Sequence, residues 1–414
     1  MARIPLLCGC SIAAIILSAA AASLPAFAQP EYYGRLTTVV ETYKTVEGEH
    51  AVPSYQYLNL TVDQPMGMER DHYLYFYGRL SEDLLDHENR ESEVYSAFLN
   101  MEEVFPRTGL TLGRQFISTV AGSAVTDGIE VRINEVARRL KVGLFAGGDA
   151  KFVDTYEEGD WLFGGTLDIL HLERTNIGFS FFQKYDRWDV ARQALGLDLG
   201  YRIRTLAKLH AEARYDLLTE MVDTYFLGGK LYAGRDLTLS LEYYYNVPVF
   251  DATDIYSVFA VDEYREARFQ TDYRISKWIN VFGAFTHEFY EEGEDTDNVE
   301  IGTIIRRYAR FDLYASVLIR EGEDELLGGT LKGHYYASAD LTIGAGVEGD
   351  DYRMYDMEES RSASRYFADV MFYLSNHLYV YGKVEGLKSE YHNHEIRARI
   401  KVSYAFQRIN RKGQ

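Results

Sequence analysis

The feature that most constrains this chain is a two-residue alternation of apolar and polar side chains. The last such segment runs from His394 to Phe406. Its apolar phase holds Ile396, Ala398, Ile400, Val402, Tyr404 and Phe406, and its polar phase holds Glu395, Arg397, Arg399, Lys401 and Ser403. A strand of this kind is stable in two settings, half-buried on a soluble core or in the wall of a membrane barrel with a wet lumen.

The same alternation recurs in segments of about ten residues separated by turn-rich breaks, which is typical of transmembrane barrels. The clearest segments are 195–203, 207–216, 237–245, 267–275, 311–320 and 341–347. A soluble sandwich or propeller also alternates, but its polar face meets bulk water. Here the polar phase repeatedly holds Gly and charges of both signs, as a narrow lumen requires. The pattern predicts an all-β, antiparallel, up-and-down transmembrane barrel, in which the last strand pairs with the first strand near Tyr32 to Val40.

Twenty-two candidate strands follow from this pattern, within a predicted range of 18 to 22 because the first 140 residues are less regular. An even number is required if both chain ends lie on one side of the membrane. The strands are predicted to begin near residues 32, 55, 73, 94, 109, 128, 139, 161, 176, 191, 207, 224, 237, 263, 278, 298, 310, 326, 340, 365, 377 and 395.

The connections between these segments alternate in length. Longer, acidic connections at 148–160, 246–262, 290–298, 321–325 and 349–362 alternate with tight turns such as 204–205, 234–235 and 375–376. Outer-membrane barrels place short turns in the periplasm and long loops outside. We therefore expect both termini in the periplasm. The connection 246–262 is the one loop long enough to be expected to fold into the lumen.

Residues 1–28 read as a cleaved signal peptide, which predicts export through the inner membrane. Arg3 precedes an apolar run, and Ala26-Phe27-Ala28 forms a small-residue cleavage site. Cys8 and Cys10, the only two cysteines of the chain, lie inside this segment. The exported chain therefore has no thiolate chemistry and no disulfide. We expect residues 29–406 to form one barrel and residues 407–414 a short basic periplasmic tail.

This combination of features resembles a Gram-negative outer-membrane β-barrel of the porin type. A local similarity lies in Gly109 to Arg132, where Leu112-Gly113-Arg114-Gln115 precedes Asp127-Gly128. The pair resembles a hairpin of alginate-export-like barrels, although an ordinary hairpin with a glycine turn fits equally well. Because Arg114 shares its phase with leucines, a bulge or an interfacial position is expected there. The closing strand resembles the signal read by the barrel-insertion machinery, with Lys401 in place of a common Gly.

No catalytic constellation is found, and an enzyme is not expected. His210, His287 and His334 stand alone in predicted strands, and His392 and His394 lack a carboxylate at an obvious spacing, so no metal site is predicted. There is no C-x-x-C-H motif for covalent haem, and no cofactor is expected. The formal net charge of −20 excludes nucleic acid as a partner.

Charged residues of the polar phase are the candidates for lining and selectivity of the lumen. They are Arg202, Lys208, Arg214, Lys230, Arg268, Arg274, Arg397, Arg399, Lys401, Asp198, Glu212, Glu242 and Asp312. Rings of charge set selectivity in larger barrels. Cross-strand ion pairs that fill a crowded lumen explain the same residues equally well.

The leading hypothesis is an outer-membrane channel for small solutes or ions. One alternative is a structural sheath around a periplasmic partner such as a multihaem cytochrome. Another is an export barrel for polysaccharide, which a lumen that is basic throughout would favour. Outer-membrane lipid, lipopolysaccharide and the barrel-insertion machinery are the expected partners in each case.

Overall fold

A computed structural model describes residues 31–45, 48–65, 72–86, 90–136, 139–150, 159–169, 174–248, 263–291, 294–322, 324–353, 359–389 and 395–408. The predicted signal peptide therefore lies outside the described residues. The strands are β1 (Glu31–Lys44), β2 (His50–Ala51), β3 (Pro53–Asp63), β4 (His72–Asp83), β5 (Arg90–Phe105), β6 (Thr108–Ser118), β7 (Ser123–Val136), β8 (Leu140–Asp149), β9 (Trp161–Ile169), β10 (Thr175–Asp186), β11 (Asp189–Ile203), β12 (Ala207–Asp216), β13 (Met221–Ala233), β14 (Leu237–Asn246), β15 (Tyr264–Arg274), β16 (Ile279–Phe289), β17 (Thr296–Tyr308), β18 (Phe311–Glu321), β19 (Glu325–Tyr336), β20 (Leu341–Arg353), β21 (Arg361–Ser375), β22 (Leu378–Lys388) and β23 (Glu395–Arg408).

These strands form one closed antiparallel barrel of 22 strands. Each strand pairs with the next one in the chain, except that the two-residue β2 only extends the pairing of β1 at Tyr43 and Lys44. The ring closes where β1 pairs with β23 over eleven positions, from Tyr32↔Arg408 to Thr42↔Ala398. Thr37 and Ser403, both nearly buried, share a hydrogen bond of 3.0 Å across this seam. Closure gives every wall strand two neighbours, so that the barrel has no open edge.

The two side-chain phases lie on opposite faces of the wall. Exposed apolar side chains such as Leu199, Ile301 and Ile400 share one phase, which is the outer face. Asp198, Glu300 and Arg399 share the other phase, which faces the lumen. A lumen of water and an outer surface of hydrocarbon require this division. No helix in the described part of the chain is long and apolar enough to cross a bilayer.

The sequence predictions of fold and strand number are confirmed. Most predicted starts fall within three residues of the observed ones, but β5 begins at Arg90 instead of Val94, β7 begins at Ser123 instead of Gly128, and β21 begins at Arg361 instead of Arg365. β23 continues to Arg408, which takes two residues from the predicted tail, and residues 409–414 lie outside the described part. The predicted pairing of the last strand with the first is also confirmed.

The long connections and tight turns named above lie at opposite ends, as predicted, but the alternation has exceptions. The connection between β10 and β11 has two residues, although it lies with the long ones, and the connection between β3 and β4 has eight, although it lies with the tight turns. We call the end of the barrel that carries connections 150–160 and 247–263 the long-connection end, and the end that carries turns 204–206 and 234–236 the short-turn end. The expectation that the short-turn end and both termini are periplasmic stays a prediction.

Closure between β1 and β23 can be tested by cross-linking in a variant that lacks the native cysteines (Cys8→Ser, Cys10→Ser). Cα atoms of paired antiparallel residues lie about 4.5–5.5 Å apart, within the range that a disulfide spans. We expect Thr37→Cys with Ser403→Cys to form an intramolecular disulfide on oxidation, detected as a mobility shift on non-reducing gels. Thr37→Cys with Val402→Cys is the control, because Val402 lies on the outer face. Failure of the first pair to cross-link in folded, heat-modifiable protein would contradict the closed ring.

Candidate lumen constriction

The hairpin between β6 and β7 leaves the barrel wall. β6 pairs with β5 only as far as Arg114, and β7 pairs with β8 only from Thr126 onward. The two strands nevertheless continue to pair with each other up to Ser118↔Ser123. Residues 115–124, which we call the inward hairpin, are therefore a two-stranded ribbon without wall neighbours on either side.

The inward hairpin packs against the lumen face of four strands. Ile117 and Ala121 form an apolar cluster with residues of β8 to β11, namely Phe145, Leu162, Phe182 and Ala194. All six are at most 6 % exposed, and the backbone N–H of Ala121 donates a hydrogen bond of 3.0 Å to Ser180 Oγ. Ser180, Phe182 and Ala194 belong to the polar phase of their strands, so the hairpin lies inside the lumen. It is the one buried apolar cluster found within the described ranges.

Two glycines permit this path. Gly113 has a φ of +122°, a left-handed value that other residues rarely adopt, at the point where β6 departs from β5. A Cβ atom on Gly196 would lie 2.5 Å from the N atom of Ala121, so only glycine allows the hairpin tip to approach β11 this closely. Larger side chains at either position would displace the hairpin.

An ion pair marks the base of the inward hairpin. Arg114 donates from Nε and Nη2 to the two carboxylate oxygens of Asp127 at 2.8 and 2.6 Å, and from Nη1 to the carbonyl of Val94 at 3.0 Å. The sequence prediction of a bulge or an interfacial position at Arg114 agrees with the left-handed backbone at Gly113. Arg114 and Asp127 lie on the same face of the wall as the lipid-facing Leu112. Their bidentate ion pair keeps the two opposite charges together on this face.

A cavity of about 640 Å³ lies beside the hairpin tip and is acidic on one side. The tip residues 116–120 line one part of it, and four carboxylates on different strands line another, namely Glu130, Asp168, Asp198 and Glu212. Glu130 accepts a hydrogen bond of 2.8 Å from Arg132. Asp198 and Glu212, which are cross-strand partners, both contact His210.

The sequence suggested that the histidines of the strands are isolated, but in the structure each of them contacts a carboxylate. His210 Nε2 lies 2.8 Å from Glu212 Oε1 and its Nδ1 lies 3.8 Å from Asp198 Oδ2. The ligand atoms of these three residues lie within 4.8 Å of one another, a spacing that a metal ion could use. His287 and His334 likewise contact carboxylates, of Asp297 at 2.6 Å and Asp369 at 3.8 Å. Cross-strand neighbours cannot be read from spacing along the chain. His392 and His394 lie outside the described residues.

Three of the predicted basic candidates, Arg397, Arg399 and Lys401, lie on β23, on the far side of the barrel from β11, and neighbouring side chains largely compensate their charges. Arg397 contacts Glu395 at 2.7 Å, and Arg399 contacts Glu41 of β1 at 2.5 Å. The ammonium of Lys401 lies 5.7 Å from the ring centroid of Tyr379. At β23 the geometry therefore agrees with the interpretation that ion pairs fill a crowded lumen. The lumen is not basic throughout.

Three other candidates form a cationic group near the short-turn end. Arg202, Lys208 and Lys230 are cross-strand partners on β11, β12 and β13. No carboxylate within the described part of the chain forms an ion pair with them, and Lys208 lies 5.9 Å from the ring of Tyr232. Like charges at directly opposed positions repel one another, so this group costs stability. We refer to it as the cationic triplet.

The remaining candidates also lie on the lumen face. Arg214 contacts the fully buried Asp223 at 2.7 Å, and Arg268 donates to Gln270 at 3.3 Å. Asp312 accepts from the hydroxyl of Tyr336 at 2.6 Å. Arg274 and Glu242 have no ion-pair partner among the described residues. Thus the structure brings some of the thirteen predicted residues into pairs and leaves others facing the lumen alone, and their role in selectivity stays a prediction.

The sequence prediction missed the inward hairpin. Its apolar residues alternate as in any strand, and they contact residues up to about 80 positions later in the chain. One signal was available, because Phe145, Leu162, Phe182 and Ala194 are apolar residues on an otherwise polar phase. The loop 246–262, expected to fold inward, lies mostly outside the described residues.

Comparison with known proteins places the fold. No protein-family model and no curated protein sequence matches the chain. A mutant of the ferric enterobactin receptor PfeA from Pseudomonas aeruginosa superposes with a TM-score of 0.63 at 8 % identity, over 91 % of this chain and 80 % of the receptor. The siderophore receptor PirA from the same organism gives 0.54 at 12 % identity, over 91 % and 80 %. OccK2 (OpdF), also from P. aeruginosa, gives 0.46 at 11 % identity, over 93 % and 99 %.

These neighbours are outer-membrane β-barrel proteins, and this chain has their fold. The chain thus folds as a closed, antiparallel outer-membrane-type barrel of 22 strands.

The packing of the inward hairpin can be tested with Phe182→Ala. Removing a buried Phe side chain costs about 3–5 kcal/mol, so release of the hairpin should speed hydrogen exchange at the Ala121 amide by about 100-fold or more. Phe181→Ala on the outer face of the same strand is the matched control and should leave this amide protected. Unchanged protection in Phe182→Ala would show that the apolar cluster does not hold the hairpin.

Proposed function

We propose that this protein is an outer-membrane diffusion channel whose lumen is narrowed by the inward hairpin. The observation that supports this proposal is the position of the hairpin, which packs on the lumen face of β8 to β11, four of the 22 wall strands. Barrels of this strand number are wide enough for an aqueous lumen. A small obstruction fixed to one wall would narrow such a lumen without filling it.

The composition of the lumen face supports passage of small polar solutes. Charges of both signs face inward, and many are neutralised by cross-strand partners such as Arg365 with Glu348 at 3.1 Å and Glu385 at 2.8 Å. Solutes would meet a polar surface with local uncompensated charge at the acidic cavity and at the cationic triplet. A lumen of mixed charge does not favour export of a polyanion.

Conductance in planar bilayers tests the proposal. We expect the purified protein to give steady open channels. Replacing residues 117–124 with Asn-Gly should raise the single-channel conductance, because this two-residue turn closes the ribbon at the Phe116↔Val125 pair and removes the tip from the lumen. An unchanged conductance in the shortened variant would contradict a constriction by the hairpin. A silent wild-type barrel that copurifies with a haem protein would support the sheath instead.

The cationic triplet should contribute to ion selectivity. The double variant Lys208→Glu, Lys230→Glu reverses two uncompensated charges of the lumen. We therefore expect the reversal potential across a KCl gradient to shift toward cation selectivity. Arg397→Glu with Glu395→Arg keeps the local net charge and is the control. An equal shift in both variants would show that the triplet has no special role.

A further inference from the structure

One stretch of the lumen wall is lined by aromatic rings instead of charges. Seven rings lie on the inward side of β3, β4 and β5, and all seven are partly exposed. They are Tyr55, Tyr57, Tyr73, Tyr75, Tyr77, Tyr95 and Phe98, which we call the aromatic track. Tyr95 is the extra residue at a register shift between β4 and β5, and its ring lies 5.1 Å from that of Tyr77.

The rings of the aromatic track follow one another in close sequence. Centroid distances are 6.5 Å for Tyr55–Tyr57, 6.4 Å for Tyr57–Tyr77, 5.2 Å for Tyr75–Phe98 and 6.2 Å for Tyr73–Phe98. Tyr75 and Tyr77 are neighbours on the same face of β4 and join the two groups. These distances are those of interacting aromatic pairs, so the rings support one another's orientation.

The aromatic track runs along the barrel axis. β3 begins at the long-connection end, which places Tyr55, its third residue, near that opening, and Tyr77 and Tyr95 lie at about the level of the middle of β4. β4 begins at the short-turn end, which places Tyr73 near the other opening. The inward hairpin packs on β8 to β11 and does not cover this wall. A solute that passes through the lumen can therefore meet the track over most of its path.

The polar groups beside the rings include charges of both signs and neutral hydrogen-bonding groups. Arg79 contacts Glu93 at 3.0 Å and lies 5.6 Å from the ring centroid of Tyr55. The amide of Asn59 donates to the Tyr75 hydroxyl at 2.8 Å. Six of the seven rings carry hydroxyls. The surface thus combines apolar ring faces with hydrogen-bonding edges.

We propose that the aromatic track binds a neutral oligosaccharide as it passes through the lumen. A hexopyranose has an apolar face of C–H groups, which packs on an aromatic ring, and a periphery of hydroxyls, which exchange hydrogen bonds with tyrosine hydroxyls, amides and guanidinium groups. A linear chain repeats this pattern at intervals and so matches a row of rings along the axis. The proposal deepens the proposed channel function by naming a substrate class, and it rests on that function.

The experiment measures interruption of the single-channel current by maltohexaose. Polyethylene glycol of matched hydrodynamic size is the comparison, because it tests size without sugar rings. We expect maltohexaose to produce resolved, concentration-dependent blocks and polyethylene glycol to produce none at the same concentration. In Tyr57→Leu and Tyr77→Leu, which keep an apolar side chain but lose the ring, the dissociation constant should rise about tenfold, a loss of about 1.4 kcal/mol per ring.

Tyr314→Leu is the matched control. Tyr314 also faces the lumen and stacks on Phe282 at 6.0 Å, but it lies on β18, outside the track. Its substitution should change the dissociation constant by less than about twofold. Equal loss in Tyr314→Leu and Tyr77→Leu, or block by polyethylene glycol equal to that by maltohexaose, would overturn the proposal. Binding of phenol without binding of maltohexaose would also overturn it.

A second measurement distinguishes failure of the proposed channel function from failure of the proposed oligosaccharide binding. If the barrel is silent in bilayers, the same variants are compared by calorimetric titration of maltohexaose in detergent, which does not require conduction. Binding that is lost in Tyr57→Leu and Tyr77→Leu but kept in Tyr314→Leu supports the track even when conduction is absent. Absence of binding to folded, heat-modifiable wild-type protein rejects it.

Discussion

The whole structure depends on pairing the backbone polar groups of every strand in surroundings where water cannot replace a missing partner. An unpaired N–H or C=O in hydrocarbon costs several kcal/mol, which only closed barrels and helices avoid. The pairing of β1 with β23 satisfies the two edges that the sheet would otherwise leave open. This requirement fixes the even strand number and the register, and through the register it fixes which side chains face the lumen.

The inward hairpin is the place where this constraint is relaxed. Residues 115–124 leave the wall and pair only with each other, and Ser180 accepts a hydrogen bond from the freed backbone of Ala121. Such a ribbon is tolerated because the lumen is polar and because the apolar cluster around Phe182 offsets the lost pairing. The narrowest part of the proposed channel is therefore supported by core-like packing, in contrast to the hydrogen-bonded ladder of the wall.

The sequence predicted the parts of the structure that depend on local alternation. The phase of Ile396 to Phe406, the number of strands and the pairing of the last strand with the first all follow from a two-residue period and the need for closure. Contacts across the lumen and between strands do not follow from it. The environment of His210 depends on Asp198, twelve residues earlier and on another strand, and the position of Ala121 depends on Ser180. The site was therefore predicted as a set of charged residues, without its hairpin, its aromatic track or its pairings.

The position of the hairpin has a consequence for how the barrel is built. The residues on which it packs belong to β8 to β11, which follow it in the chain, whereas the ring closes only when β23 meets β1. If strands are added in chain order, the hairpin can settle onto a sheet that is still open, well before the interior is enclosed. A hairpin that had not packed onto these strands before β23 paired with β1 would be enclosed in the lumen and could not leave through the closed wall. In that order of assembly, the hairpin has time to pack onto β8 to β11 before the ring closes.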